Sequence, residues 1–185
     1  MPNWCENSIT FSSTRKCDLE RLKNKVCEKD CVFSFNKIAP YPKYFNNISK
    51  LSEMRIKRQN KEAIKRGYKS FDDMPDSEEK NEIEKRFPYI TDGFNNGGYE
   101  WCCENWGTKW NVRDIIFDSE IKKEVNKYVW RVSFDTAWSP PIPIFHKIAE
   151  KFPNISFSAS YMEESIGFEG EFMVDKGKVI SHSHI

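Results

Sequence analysis

Residues 128–135 read YVWRVSFD, and the reading of this stretch decides the fold class. Tyr128, Trp130, Val132 and Phe134 occupy one side of a period-two pattern, while Val129, Arg131, Ser133 and Asp135 occupy the other. Successive side chains of a strand point to opposite faces, so this alternation predicts a strand of an antiparallel sheet with one covered face. Working outward, 112–118 predicts the preceding strand. Downstream, Ser139 with Pro140, Pro141 and Pro143 opens a helix that carries Ile144, Phe145, Ile148 and Phe152 inward and stops at Pro153. Ile155, Phe157, Ala159 and Tyr161 alternate with serines in a further strand. The segments 168–174 and 178–181 then predict a hairpin closed through Asp175, Lys176 and Gly177.

Toward the N-terminus, 7–12 predicts a strand with Ile9 and Phe11 on one face and Ser8 and Thr10 on the other. Thr14 is the expected N-cap of a first helix, with Asp18 and Glu20 near its positive end and Leu19, Leu22 and Val26 as its apolar stripe. Segment 32–38 predicts a second strand with Phe33 and Phe35 on one face, ended by Pro40 and Pro42. The order is β-α-β, an insertion, then β-β-α-β. It predicts an α+β fold, a ferredoxin-like split β-α-β antiparallel sheet with two covering helices, a charged helical insertion and a C-terminal β-hairpin. The expected organisation is a single domain over 1–185 with the insertion at about 45–98.

Within the insertion a basic run that includes Lys57, Arg58, Lys61 and Lys65 precedes an acidic one. Segments 54–65 and 76–86 are expected as surface helices whose opposite charges attract, with too few apolar residues for an independent core. The basic run reads either as a nucleic-acid contact or as a solvated helical face.

Residues 99–110, YEWCCENWGTKW, place Tyr99, Cys102, Cys103 and Trp106 at helical spacing, with Gly107 where a helix favours a left-handed residue. Trp101 and Asn105 lie on a different face of that helix. Trp101 is expected either to pack under a loop, donating its indole N–H to a carbonyl, or to mark an interaction surface.

A formal net charge of +1 excludes a polyanion binder driven by bulk charge. No span of the sequence is apolar enough for a membrane, and the mean hydropathy of -0.72 agrees. The start MPNWCENS lacks the basic region and apolar core of a secretory signal, so a cytoplasmic location with reduced thiols is expected. Cys27 with Cys31, the pair Cys102 and Cys103, and His182 with His184 do not form a zinc pattern. No metal and no cofactor is expected.

Four blocks carry a family resemblance: the opening MPNWCEN, the central ENWGTKW, FDTAWSPP at 134–141, and GFEG at 167–170. In this order they resemble the YubB-type ferredoxin-like proteins carried by bacteriophages and plasmids, over most of the chain up to about Gly170. The resemblance implies a ferredoxin-like accessory protein of a mobile element in a bacterial host cytosol, and it brings no established catalytic residues. Read physically, Asn3, Asn7, Asn105 and Asp135 beside Trp4, Trp106 and Trp138 have the composition of tight turns, or of a pocket in which indoles stack a base.

Three functions follow from these readings. The leading one is a stoichiometric inhibitor or adaptor that docks a host or defence-system protein, with counter-defence, including anti-CRISPR action, as the niche the resemblance implies. The second is a single-stranded nucleic-acid binding module using Arg131, Lys109 and aromatic stacking. The weakest is an enzyme using Asp135 with Glu104 or with Glu163 and Glu164, and His146 or Cys103 as base or nucleophile. Candidate binding residues are therefore Trp101, Asn105, Lys109, Arg131, Asp135 and Trp138, with Lys57, Arg58, Lys61 and Lys65 on the insertion; no catalytic residue is assigned.

Overall fold

A computed structural model describes residues 3–28, 32–118 and 120–184. Its elements are β1 (Trp4–Ser13), α1 (Lys16–Val26), α2 (Phe35–Ile38), α3 (Lys43–Lys65), α4 (Glu78–Arg86), α5 (Tyr99–Trp106), β2 (Arg113–Phe117), β3 (Lys122–Glu124), β4 (Lys127–Ala137), α6 (Ile142–Lys151), β5 (Ser156–Glu163), β6 (Phe168–Asp175) and β7 (Lys178–His184). The chain forms two compact units, Met1–Pro40 with Trp101–Ile185, and Tyr41–Glu100.

The first unit is built on an antiparallel sheet of order β2-β4-β1-β5-β6-β7, with β3 also paired to β4. The ferredoxin-like repeat is β1, α1, β2, β4, α6 and β5, and the hairpin β6–β7 extends the sheet beyond β5. Register explains the core. Phe11 lies between Trp130 and Phe157, and Ile9 between Val132 and Ala159, so apolar side chains line up across the strands on one face. Trp130, Val132 and Phe134 are buried and Arg131 is exposed, as the alternation of 128–135 requires. Val129, on the other side of the strand, is fully buried as well, so the alternation fails at that end.

Helix α6 contributes Ile144, Phe145, Ile148 and Ala149 to this core, and α1 contributes Leu19, Leu22 and Val26. The hairpin turn uses Lys176 (φ 45°) and Gly177 (φ 76°), the pair of positive φ values that a two-residue turn needs to match strand twist.

Two expectations are corrected here. Segment 32–38 is not a strand: after a single bridge between Cys27 and Phe33 the chain turns into α2, with the Ala39 N–H donating to the Phe35 carbonyl. The sheet position beside β4 belongs to β2, some eighty residues later, and Phe33 and Phe35 instead pack their rings on Phe134 at 5.1 and 5.8 Å. Thr14 does not cap α1. The N-cap is Arg15, whose guanidinium grips Asp18, while the Ser13 hydroxyl donates to the same carboxylate.

The second unit also departs from expectation. Ala63, Met74 and Ile83 form a small core of their own, flanked by Tyr68, Phe71 and Phe87. Three of these come from the loop between α3 and α4, which helical periodicity does not register. Helix α3 begins at Lys43, directly after Pro42 and earlier than expected, and its inner side is polar: the Ser52 hydroxyl donates to the Ile90 carbonyl at 2.8 Å and the Gln59 amide to the Phe87 carbonyl at 3.1 Å. One ion pair, Arg66 to Glu79 at 4.0 Å, joins the basic and acidic halves.

Candidate functional site

Within the first unit, three of the four sequence blocks are tied into one hydrogen-bonded network. The Asn7 amide donates to the Cys5 carbonyl (2.8 Å), the Phe134 carbonyl (3.3 Å) and the Thr136 hydroxyl (2.9 Å). Thr136 in turn donates to the Ser139 carbonyl at 2.8 Å, and the Ser139 hydroxyl to the Gly107 carbonyl at 2.6 Å. The Thr108 hydroxyl closes the network on the Ala137 carbonyl at 2.9 Å. Gly107 has φ 80°, and a Cβ there would lie 2.5 Å from the Pro143 ring, so both its conformation and its crowding require glycine.

This network holds an array of exposed aromatic and cationic groups. Lys109 Nζ lies 4.6 Å from the ring centre of Trp110 and 4.9 Å from that of Trp138. Arg113 covers Trp4 at 5.0 Å, and Trp4 and Trp110 are 6.4 Å apart. Two of the indoles stay substantially exposed, Trp110 at 39% and Trp138 at 40%. Trp138 also holds φ 71°, a left-handed conformation that costs a bulky residue about 1–3 kcal/mol, and its backbone N–H donates to the Asn3 carbonyl.

Arg113 lies at the margin of a second feature, the uncovered face of the sheet. There Ile116, Ser133, Ser8, Ser160, Glu171 and Ser183 form one row across the strands. The adjacent row runs Arg113, Asp135, Glu6, Met162 and Glu169. With Asp114, and without Arg113, these rows line a shallow trough of about 870 Å³ in which serine hydroxyls alternate with the apolar Ile116 and Met162 and whose charged residues are carboxylates. The Asp135 carboxyl titrates above its usual range, chiefly from burial and then from repulsion by Asp114 and Glu6, with Arg113 acting the other way.

The structure disperses the expected residues. Lys109, Asp135 and Trp138 lie in or beside this region, joined by Trp4, Trp110 and Arg113. Arg131 lies further along β4, where it bonds Glu124 at 2.7 Å and approaches Asp118 at 3.7 Å. Trp101 is half-buried, edge-on to Trp106 at 5.5 Å, and the Asn105 amide is used locally on the Trp101 carbonyl. Buried indoles that donate to carbonyls include Trp106, on Ala39 at 2.8 Å, and Trp130, on Asp118 at 3.1 Å. Lys57, Arg58, Lys61 and Lys65 are exposed on α3 in the other unit, Lys65 bonding Glu62 at 2.8 Å. The missed signal was local: Lys109 precedes Trp110 directly, and Arg113 follows three residues on.

Other reactive groups have structural uses. Glu163 is buried and accepts the N–H groups of Ser165 (3.0 Å) and Ile166 (2.5 Å) in the β5–β6 turn. Burial pushes the thiols of Cys5 and Cys102 up to about 12, which keeps them protonated at neutral pH. The His146 ring meets Phe172 edge-on at 5.0 Å. Among the described residues no group of three or more His, Cys, Asp or Glu gathers to hold a metal ion; Cys31 and the side chain of His184 lie outside that description. Among the same residues no helix is long and apolar enough to cross a membrane.

Comparison with known proteins adds the following. Residues 105–185 match the family model described as the ferredoxin-like domain in Api92-like protein. Among solved structures the chain is similar to the crystal structure of a protein Api92 from Yersinia pseudotuberculosis, with a TM-score of 0.54 and 10% identity, covering 100% of this chain and 98% of that one. At that identity the likeness shows the fold alone. The search of curated proteins finds no match.

Proposed function

We propose that the protein is a non-catalytic binding module that docks another protein through Trp4, Lys109, Trp110, Arg113 and Trp138. The observation that carries this reading is the array itself: exposed indoles interleaved with cations, one of them on a strained backbone. Tryptophan and arginine dominate the energetic centres of protein interfaces, and backbone strain is retained where structure serves a function. The acidic trough beside Arg113 supplies a polar rim. A stoichiometric binder of this kind suits the mobile-element accessory role that the sequence resemblance implies, with a host or defence-system protein as the partner.

A single-stranded nucleic-acid reading draws on the same indoles and cations. It is disfavoured by the carboxylates of Glu6, Asp114 and Asp135 beside the array, which repel phosphates, and by the ion pairing of Arg131. The test is capture of host proteins on the immobilised full chain, beside the Trp110→Ala, Trp138→Ala double variant. The expected result is a stoichiometric protein held by the wild type in moderate salt and lost by the variant, with the thermal midpoint unchanged. Equal capture by both overturns the assignment of the surface. Binding of single strands that collapses with added salt overturns the choice of partner.

A further inference from the structure

On the helix-covered side of the first unit, a cleft of about 490 Å³ is lined by Arg21 and Lys25 of α1, Lys37 and Ile38 of α2, and Lys151 through Ile155 at the α6–β5 turn. Four cations therefore converge from three separate elements. The one carboxylate among the lining residues, Asp18, is already taken: Arg15 binds it through Nε (2.9 Å) and Nη2 (2.8 Å), and the Ser13 hydroxyl donates to it at 3.1 Å. That pairing, led by the Arg15 hydrogen bonds and helped by the nearby charge of Arg21, holds the Asp18 carboxyl below its usual range, so its negative charge is met chiefly by Arg15 and partly by the rim. Among the described residues no ion pair reaches Arg21, Lys25 or Lys37. Lys151 Nζ donates to the Ile38 carbonyl at 2.6 Å, which places its charge over the end of α2.

The helix dipole accounts for Lys25 near the C-terminus of α1, yet Arg21 and Lys25 stand four residues apart, a like-charge spacing that destabilises an isolated helix. The same dipole argument covers Lys37 and Lys151, each in the last turn of its own helix, so the cleft lies where three helix C-terminal ends gather cations, with Arg21 added one turn earlier on α1. The apolar floor open to a ligand is formed by Phe152 and Pro153, set over Val26, Ile38 and Ile155, which are closed to solvent. A cationic rim over an apolar floor, in a cleft of the volume that takes drug-sized ligands, matches a molecule with a multiply charged anionic end and an apolar or planar body.

We propose that this cleft binds a small phosphate ester of the nucleoside diphosphate class, with its phosphates on Arg21, Lys25 and Lys37 and its organic body against Phe152 and Pro153. The site is separate from the indole–cation array, and the proposal does not depend on the docking function.

The test is calorimetric titration of the full chain with ADP and, separately, with inorganic pyrophosphate. Saturable one-to-one binding is expected for both, with ADP tighter by a factor of about three or more because pyrophosphate cannot use the apolar floor. The Arg21→Ala, Lys37→Ala double variant should weaken ADP by about tenfold or more, since each change removes a charge-assisted hydrogen bond. Both side chains are exposed, so the fold should survive, and a thermal melt checks this. A Lys57→Ala, Lys61→Ala variant on α3 should bind as the wild type does. Absence of saturable ADP binding overturns the proposal. So does equal weakening by the α3 variant, which would mean non-specific attraction of anions. Equal affinity for ADP and pyrophosphate overturns the ligand class.

Discussion

The two faces of the one sheet are made from the same strands, residue by alternate residue, and share almost no chemistry. On the covered face Trp130, Phe11, Phe157 and Phe172 meet ring to ring, with centroids 5.6 Å apart for Phe11 and Trp130 and 5.4 Å for Phe11 and Phe157, while Phe134 meets Phe33 and Phe35. On the other face the same strands present Ser8, Ser133, Ser160, Glu6, Glu169 and Glu171. Stability therefore resides on one face, and the other is free to carry charge and contact chemistry at little cost to the fold. The indole–cation array at the margin of the open face is the exception that makes the contrast informative. Aromatic area is placed there without being buried.

The strongest way to break this contrast is to compare neighbours on β4. Phe134→Ala removes a ring stacked on Phe33 and edge-on to Phe35, and should cost about 3–5 kcal/mol in denaturant unfolding. Ser133→Ala, one residue away on the open face, loses a hydroxyl contact of 3.2 Å to Ser8 and should change stability by no more than about 0.5 kcal/mol. Comparable losses for the two would mean that the open face is covered in solution.

A smaller effect sharpens the role of the GFEG block. Gly170 lies on the covered side, where a Cβ would meet the Ser183 carbonyl and the Tyr161 hydroxyl, both at 2.4 Å. Tyr161 donates to that carbonyl at 3.0 Å, tying β5 to β7 across β6. Gly170→Ala should cost about 1–3 kcal/mol and raise amide hydrogen exchange in β7 before it does so in β1. Uniform loosening of both strands would show that the hairpin and the central strands unfold together.

The face contrast was legible in the sequence because period-two alternation over eight residues has few competing explanations. Segment 32–38 was not legible: its alternating pair is just Phe33 and Phe35, with Val32 and Ile38 off that pattern, and alternation that short is shared by a strand and by a bridge followed by a helical turn. Ladder pairing decides between them, and pairing is long-range. The small core of the second unit was hidden for a related reason, since Tyr68, Phe71 and Met74 lie in a loop and the inward side of α3 carries serine and glutamine. The candidate surface was half legible. Lys109 and Trp138 could be picked out as types, but only the Thr108, Thr136 and Ser139 network brings 109 against 138. Trp101 was chosen for its helical face, and the nearby ring of Trp106 claims part of it.

The smallest effect tests the open face by pH. Asp135 has its carboxyl raised by burial first and by Asp114 and Glu6 next. The folded state therefore holds a proton on Asp135 more tightly than the unfolded chain does, and between the two pKa values folding takes up protons. The favourable contribution is complete below the unfolded carboxylate range and is lost as pH rises through the folded value, so at neutral pH the ionised group destabilises the fold. Replacing Asp135 by Asn keeps the shape and removes the charge. Asp135→Asn should stabilise the protein at pH 7 by less than about 1 kcal/mol, because solvent screens a partly exposed carboxylate. The gain should shrink toward zero as the pH is lowered to where the wild-type group is protonated. Thermal midpoints of the two proteins from pH 7 down to pH 4 measure this directly. A variant less stable than the wild type at pH 7 would mean that attraction to Arg113 outweighs the repulsion and desolvation, and the trough would then be a neutralised part of the array rather than its acidic rim.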